Sequence, residues 1–209
     1  NMRDYTKYAS GDGSIVECDS SEDEKVGDPC TLARARGKDA YIRVGGGQPW
    51  SDVYNAVSSS KEKGDLSKAY GVGGGAAGSV GSAGGWLSGG GLSTGYERSE
   101  GLGVDQILEL ELVLPDGSHV KIFPSEWNIV EGYLYPQTSK VSALCNANVV
   151  SDESQWDWQP CNNISVAPED LWMAMRGGGG GTYAVTLSVT YQLFEQHTLR
   201  SYTGGGAAL

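Results

Sequence analysis

Two stretches of the chain alternate apolar and polar residues with a period of two. In "DQILELELVLPDGSHVKIF", Leu108, Leu110, Leu112 and Leu114 alternate with Glu109 and Glu111. This predicts a strand with a leucine face and a carboxylate face, and "PDG" supplies the turn into a second strand. In "TYAVTLSVTYQLF", Tyr183, Val185, Leu187, Val189, Tyr191 and Leu193 fall on one side of a further strand. Helical spacing appears where Trp50, Val53, Tyr54 and Val57 share a face in "QPWSDVYNAVSSSKEKG", a helix expected to stop at Gly64. "APEDLWMAMR" reads as a short helix. Pro168 is tolerated in its first turn, and Glu169 and Asp170 suit the positive end of the helix dipole. "SIVECD", "AYIRV" and "KAYG" read as short strands, and "TLARARGKD" as a helical turn. The order is a mixed α+β pattern containing a hairpin, not the repeated βαβ of a doubly wound sheet.

Residues 124–167 break this pattern. They are rich in Trp, Tyr, Asn and Ser and follow neither period, so a long insertion is expected there. Its role stays open between an interaction surface and a decorated loop. Trp127, Trp156 and Trp158, with Tyr133 and Tyr135, have the chemistry to stack on sugars, though packing is the expected explanation.

Composition narrows the classes. With 209 residues the chain is long enough for one large domain or two small ones. Its formal net charge of −11 and the scatter of its Lys and Arg residues argue against a nucleic-acid partner, which needs a concentrated positive footprint. No apolar run approaches the length of a membrane span, and no signal peptide is legible. The opening "NMRDYTKYA" suggests a start after processing or inside a larger protein. Cys18, Cys30, Cys145 and Cys161 form no CxxC pair, so no metal site is expected. Each neighbouring pair closes a short polar loop. Disulfides Cys18–Cys30 and Cys145–Cys161 are expected, against the alternative of four independent thiols. Asn163 opens the sequon "NIS", a glycosylation site if the chain is secreted; sequon and paired cysteines together suggest the secretory pathway or an extracellular location.

The densest glycine run, "GVGGGAAGSVGSAGGWLSGGG" at 71–91, is not composed like a flexible linker. It carries Val72, Ala76, Ala77, Val80, Ala83, Trp86 and Leu87 rather than polar spacers. It reads either as a backbone-lined loop against a ligand or as a series of tight structural turns. A G-x-G-x-x-G register exists at Gly73, Gly75 and Gly78, but glycine this dense robs the match of meaning, and no GxxxxGK[ST] occurs. A second run, "MRGGGGGTYAV", follows the predicted helix and opens the last strand.

Together "SVGSAGGWLSGGGLS", "GLGVDQILELELVLPDG" and "LWMAMRGGGGGTYAVTLSVTYQL", preceded by "RVGGGQPWSDVYNAV", resemble the FAD-binding (PCMH-type) domain of the vanillyl-alcohol oxidase and p-cresol methylhydroxylase superfamily. The berberine-bridge-enzyme-like oxidases are the nearest branch. The resemblance covers roughly 41–194. It implies an α+β fold in which FAD lies between two subdomains, with this chain supplying mostly the second subdomain and a disulfide-stapled insertion. The implied division is 1–40, the end of the first FAD subdomain and an acidic loop; 41–123, the FAD-binding core; 124–167, the insertion; 168–194, the end of the core; and 195–209, the start of a further region.

The resemblance also implies cofactor contacts. Gly78, Ser79, Val80, Gly81, Gly84, Gly85, Trp86 and Gly89 would run along the flavin and its ribityl chain. Gly101, Leu102 and Asp105 would lie close by. Gly178, Gly179, Gly180, Gly181, Thr182, Tyr183 and Val185 would approach the adenosine-diphosphate end.

The chain departs from the family in two places. The histidine loop that anchors FAD covalently in many members is not in this sequence. His119, expected as an exposed strand residue, and His197, past the last matched strand, do not replace it. Ala77 stands where doubly linked members carry cysteine, so a cysteinyl link is not expected. No residue receives a catalytic role, and Tyr183 is expected to pack or touch cofactor. The implied function is a segment of a secreted FAD-linked oxidase acting on a small-molecule substrate, alongside other chains or other parts of the same precursor. The alternative is a catalytically inactive structural or interaction subunit of a larger assembly.

Overall fold

The computed structural model describes residues 15–18, 27–62, 68–93, 95–130, 133–136, 140–150 and 152–196. The alternating stretches form strands. β4 (Ile107–Val113) and β5 (His119–Pro124) are the predicted hairpin, and β10 (Val185–Glu195) is the last strand. β1 (Ile15–Glu17), β2 (Ala40–Gly45) and β3 (Tyr70–Gly71) precede them, and all three fall where short strands were expected. The sheet is antiparallel in every described pair. It runs β1-β2-β10-β4-β5, then β8 (Val141–Asn146) and β9 (Trp158–Pro160), with β3 pairing the end of β10.

Helix α1 (Pro29–Ala35) begins at Asp28, whose carboxylate accepts the Thr31 N–H at 2.9 Å, with Pro29 in its first turn. α2 (Trp50–Glu62) carries the predicted apolar face, with Trp50 and Val53 fully buried. After two single turns, α3 (Gly85–Ser88) and α4 (Glu97–Glu100), α5 (Pro168–Met175) buries Leu171 and Trp172. These side chains join Ile42, Val44, Leu110, Leu112, Ile122, Val189, Tyr191 and Leu193 in one core between the helices and one face of the sheet. Each such side chain stabilises by roughly 1.5–3 kcal/mol.

Leu108 departs from its predicted face. It packs with Leu32, Ala33 and Phe123 beneath α1, while Ile107 joins the main core. The register of β10 against β4 shifts between Thr190↔Glu109 and Tyr191↔Ile107, and an irregularity of this kind reverses the facing of the residues beyond it. A second shift lies between Thr186 and Ser188, and Tyr183 and Val185 are exposed rather than sharing the buried face of Val189.

The carboxylate face of β4 is covered as well. Glu109 and Glu111 are buried, and so is His119, which was expected to be exposed. Part of the cover comes from residues 124–167, where no period was legible. They contribute β8 and β9 to the sheet and a separate hairpin of β6 (Trp127–Val130) and β7 (Tyr133–Pro136). Both expected disulfides are present. Cys18–Cys30 ties β1 to α1, and Cys145–Cys161 ties β8 to the end of β9. No helix among the described residues is long and apolar enough to cross a membrane.

Candidate functional site

The first glycine run is an ordered loop tied to its surroundings by backbone. The start of α2 leaves N–H groups without helical partners, and the loop satisfies two of them. Trp50 N–H donates to Val80 O and Ser51 N–H to Gly78 O, both at 2.9 Å. The Ser82 N–H and hydroxyl both donate to Gln48 O, at 2.9 and 2.8 Å. From the centre of the sheet, Tyr191 donates its hydroxyl to Ser82 O at 2.6 Å. Tyr54 donates to Gly75 O at 2.8 Å; burial and the neighbouring Tyr96 push its phenol up to about 12, so it stays protonated.

The glycines of the run divide into two kinds. A Cβ at Gly74 would overlap the Trp50 ring, and one at Gly103, in the next motif, would overlap the Trp86 ring. Gly91 adopts φ +75°, and its added Cβ would lie 2.8 Å from the Gly103 Cα. These positions are glycine because the protein packs against itself there. Trp86 is the pillar they surround. It meets Trp50 edge-on at 4.9 Å and donates its indole N–H to Leu92 O at 2.9 Å. Gly81, Gly84 and Gly85 are different. An added Cβ at any of them meets nothing within 4 Å, and none has a positive φ. Internal packing does not account for a bare backbone at Gly81 and Gly85, while Gly84, with φ −107° and ψ −128°, caps the helix that begins at Gly85.

Gly84 and Gly85 open onto a cavity of about 350 Å³. Its other walls include Gly46 at the end of β2, Ser88 of α3 (Gly85–Ser88), Gly180, Gly181 and Val185. The two glycine runs, almost a hundred residues apart in sequence, thus line one space. Gly179 N–H donates to Ser88 O at 3.2 Å and holds them together.

The remaining predicted residues have other placements. Gly78 packs on Ser51, and Ser79, like Ala77, is exposed. Val80 contributes the carbonyl that caps α2, and Gly89 ends α3. Gly178 fits against the Ala174 carbonyl, and its N–H donates to that oxygen at 3.0 Å. Thr182 donates to Gly180 O at 3.3 Å. Gly101, Leu102 and Asp105 lie outside the cavity lining. The Asp105 carboxylate accepts from Leu102 N–H at 2.9 Å and from Arg176 at 3.0 Å, so its lone pairs serve the fold. Asn163 is exposed, and His197 lies outside the described residues.

Sequence reasoning missed Gly46, Ser88, Met175 and Thr186 as lining residues. Gly46 stood in a legible "GGG" after a predicted strand, and Ser88 lay within the first glycine run; Met175 and Thr186 carried no signal. Trp156 and Trp158 have an internal use. Each meets the His119 ring edge-on at 4.8 Å, which makes them packing partners of a buried histidine.

The cavity lining contains no titratable side chain, and no cluster suited to a metal ion occurs among the described residues. Bare backbone, small hydroxyls and apolar walls suit an uncharged or flat ligand surface approached by peptide groups. At about 350 Å³ the cavity is at the small end of ligand pockets, so these walls fit part of a dinucleotide cofactor.

Residues 32–122 match the family model described as the FAD binding domain. The FAD-linked oxidoreductase phmC of Phaeosphaeria nodorum is 30% identical over 190 residues, covering 90% of this chain and 32% of the relative. The FAD-linked oxidoreductase notD of an Aspergillus species is 30% identical over 168 residues, covering 78% of this chain and 19% of the relative. Among solved structures, the VAO-type flavoprotein MtVAO615 from Myceliophthora thermophila C1 aligns over 87% of this chain and 22% of its own, with 23% identity and a TM-score of 0.49. The chain therefore spans about a fifth to a third of the length of these relatives. Residues 32–122 thus match an FAD binding domain, and over most of its length the chain is similar to part of the FAD-linked oxidoreductases.

Proposed function

We propose that this chain forms one wall of the FAD site of a flavin-dependent oxidase. The observation that carries the reading is the pairing of the two glycine runs around one cavity, where Gly85 is bare without an internal packing reason. Gly84, Gly85, Gly180 and Gly181 would hold the cofactor by peptide groups. Ser88 and Thr186 offer hydroxyls, and Leu87, Met175 and Val185 exclude water. Bound FAD would supply the redox chemistry, accepting a hydride at N5 from a substrate C–H or alcohol and passing two electrons to oxygen, which leaves as hydrogen peroxide. The lining has no titratable group to take the substrate proton. That acid–base work falls to residues outside this cavity, and Tyr183 is assigned no part in it.

The same absence supports the second reading, a domain of oxidase ancestry kept as a structural subunit. Visible flavin absorbance of the purified full-length protein, and peroxide formation on screening alcohols, separate the two. Protein that neither carries FAD nor takes it up would end the first reading.

Two closed disulfides and an exposed Asn163 beside Cys161 support passage through the secretory route. Glycosidase treatment of the natural protein tests this. A mobility shift lost in Asn163→Gln is expected; no shift in the wild type would remove the support.

A further inference from the structure

Arg176 follows α5 directly and precedes the second glycine run. Its Nε donates to Val104 O at 2.9 Å and its Nη2 to Asp105 Oδ1 at 3.0 Å. Its guanidinium carbon lies 5.4 Å from the centre of the Trp172 ring. The side chain is only 12% exposed, so these charge-assisted bonds are little weakened by solvent. The loop it grips is also tied to the first glycine run. Gly103 N–H donates to Gly91 O at 2.7 Å and Val104 N–H to Gly90 O at 3.3 Å. On the other side, Gly179 N–H donates to Ser88 O at 3.2 Å. The contacts close a ring: first glycine run, 101–105 loop, Arg176, second glycine run, and back to Ser88.

We propose that Arg176 is a positioning residue. It clamps the 101–105 loop to the second glycine run and so fixes the spacing of the two backbone walls that face the cofactor. This rests on the FAD reading above. Arg176 itself does not line the cavity, although its neighbour Met175 does. The chemistry calls for arginine. One planar fork reaches a carbonyl and a carboxylate at once while lying over an indole; a lysine supplies one point charge and cannot hold both acceptors in a plane. Asp105 is the other half of the device. Its second oxygen holds Leu102 N–H at 2.9 Å, so the clamp sets the loop conformation as well as its place.

The test uses the full-length protein with Arg176→Met and Arg176→Lys. The readouts are FAD affinity of the cofactor-free protein, visible circular dichroism of the bound flavin, and amide hydrogen exchange without cofactor. Arg176→Met is expected to weaken FAD binding roughly ten- to hundredfold, the loss of charged hydrogen bonds. Faster exchange should be confined to 88–91 and 101–105. Arg176→Lys should recover part of the affinity and of the dichroic signature, because it keeps the pairing with Asp105. Unchanged affinity and exchange in Arg176→Met would overturn the proposal. So would exchange that rises evenly over the whole sheet, the mark of a general stability role. If the wild type binds no FAD, the cofactor reading falls on that result alone, and the exchange pattern still decides whether Arg176 clamps the loop.

Discussion

The two faces of the sheet are held by opposite means. On the face toward α2 and α5 the core is apolar, and the loop above it is almost pure backbone, stitched by peptide hydrogen bonds around Trp50 and Trp86. On the other face, side chains do the holding. Buried Glu111 pairs with Arg43, accepts from Ser188 Oγ at 2.9 Å, and lies 2.7 Å from His119 Nε2. Asn146 Nδ2 lies 3.1 Å from His119 Nδ1. Because the Asn146 amide is a donor, Nδ1 accepts and Nε2 carries the proton toward Glu111. Trp156 and Trp158 close over the histidine, and Lys121 lies 4.6 Å above the Trp158 ring and 3.6 Å from Glu109. Burial, then the charges of Lys121 and Arg43, hold the His119 imidazole down to about 4, so it is neutral at physiological pH. A face built from backbone leaves its surface free for a ligand. A face built from mutually satisfied side chains is complete in itself.

That contrast can be broken experimentally, and the largest effect is expected on the polar face. Glu111→Ala removes a fully buried carboxylate and leaves the half-buried Arg43 guanidinium without it, and should cost about 3–5 kcal/mol in urea unfolding. A loss below about 1 kcal/mol would mean that the network is solvated and the two faces are not so different. Next comes a packing glycine of the opposite face. Gly103→Ala drives a methyl into the Trp86 ring and should cost about 2–3 kcal/mol by the same measurement.

The pH dependence sharpens the polar side further. The His119 pKa is about 4 in the fold and near 6.5 when unfolded, so its neutral form is the one the fold selects. Its contribution is fully present above about pH 6.5 and is lost as pH falls toward 4, where the unfolded chain takes up a proton that the fold refuses. The loss is on the order of 2–3 kcal/mol, and His119→Gln should flatten that part of the stability profile. A profile unchanged by the substitution would refute the assignment. The smallest effect on stability belongs to Gly85→Ala. The methyl points into open space at the start of α3, so the fold should be unaffected or gain about 0.5–1 kcal/mol. FAD affinity should nevertheless fall. Unimpaired affinity in the Gly85→Ala variant would place the cofactor elsewhere.

Much of the backbone face was legible beforehand. Glycine mixed with valine, alanine and tryptophan is a composition that packs, and the order of the motifs pointed to FAD. The hairpin, both disulfides and the helices around Trp50 and Trp172 were legible for the same reason: their signals are local periods, turn residues and loop-closing spacings. The polar face was not. Glu109, Glu111 and His119 alternate with apolar residues as solvent-facing positions do, and only the arrival of α1, β8 and the 156–158 segment turns that side inward. Residues 124–167 hid their strands because β8 and β9 are edge additions with no amphipathic period of their own.

The sequence by itself pointed to short strands with one clear hairpin, to glycine runs that are not composed like linkers, and to pairing of neighbouring cysteines. These properties live within a few residues of each other or in composition. Only the tertiary structure decided that Gly74 and Gly103 serve tryptophans while Gly84 and Gly85 face a cavity. It alone decided that Asp105 is bound to Arg176, and that a histidine on a hairpin is sealed beneath two indoles. The reason is that glycine carries no side chain to announce its neighbour, and a charge reads the same in sequence whether water or a guanidinium satisfies it.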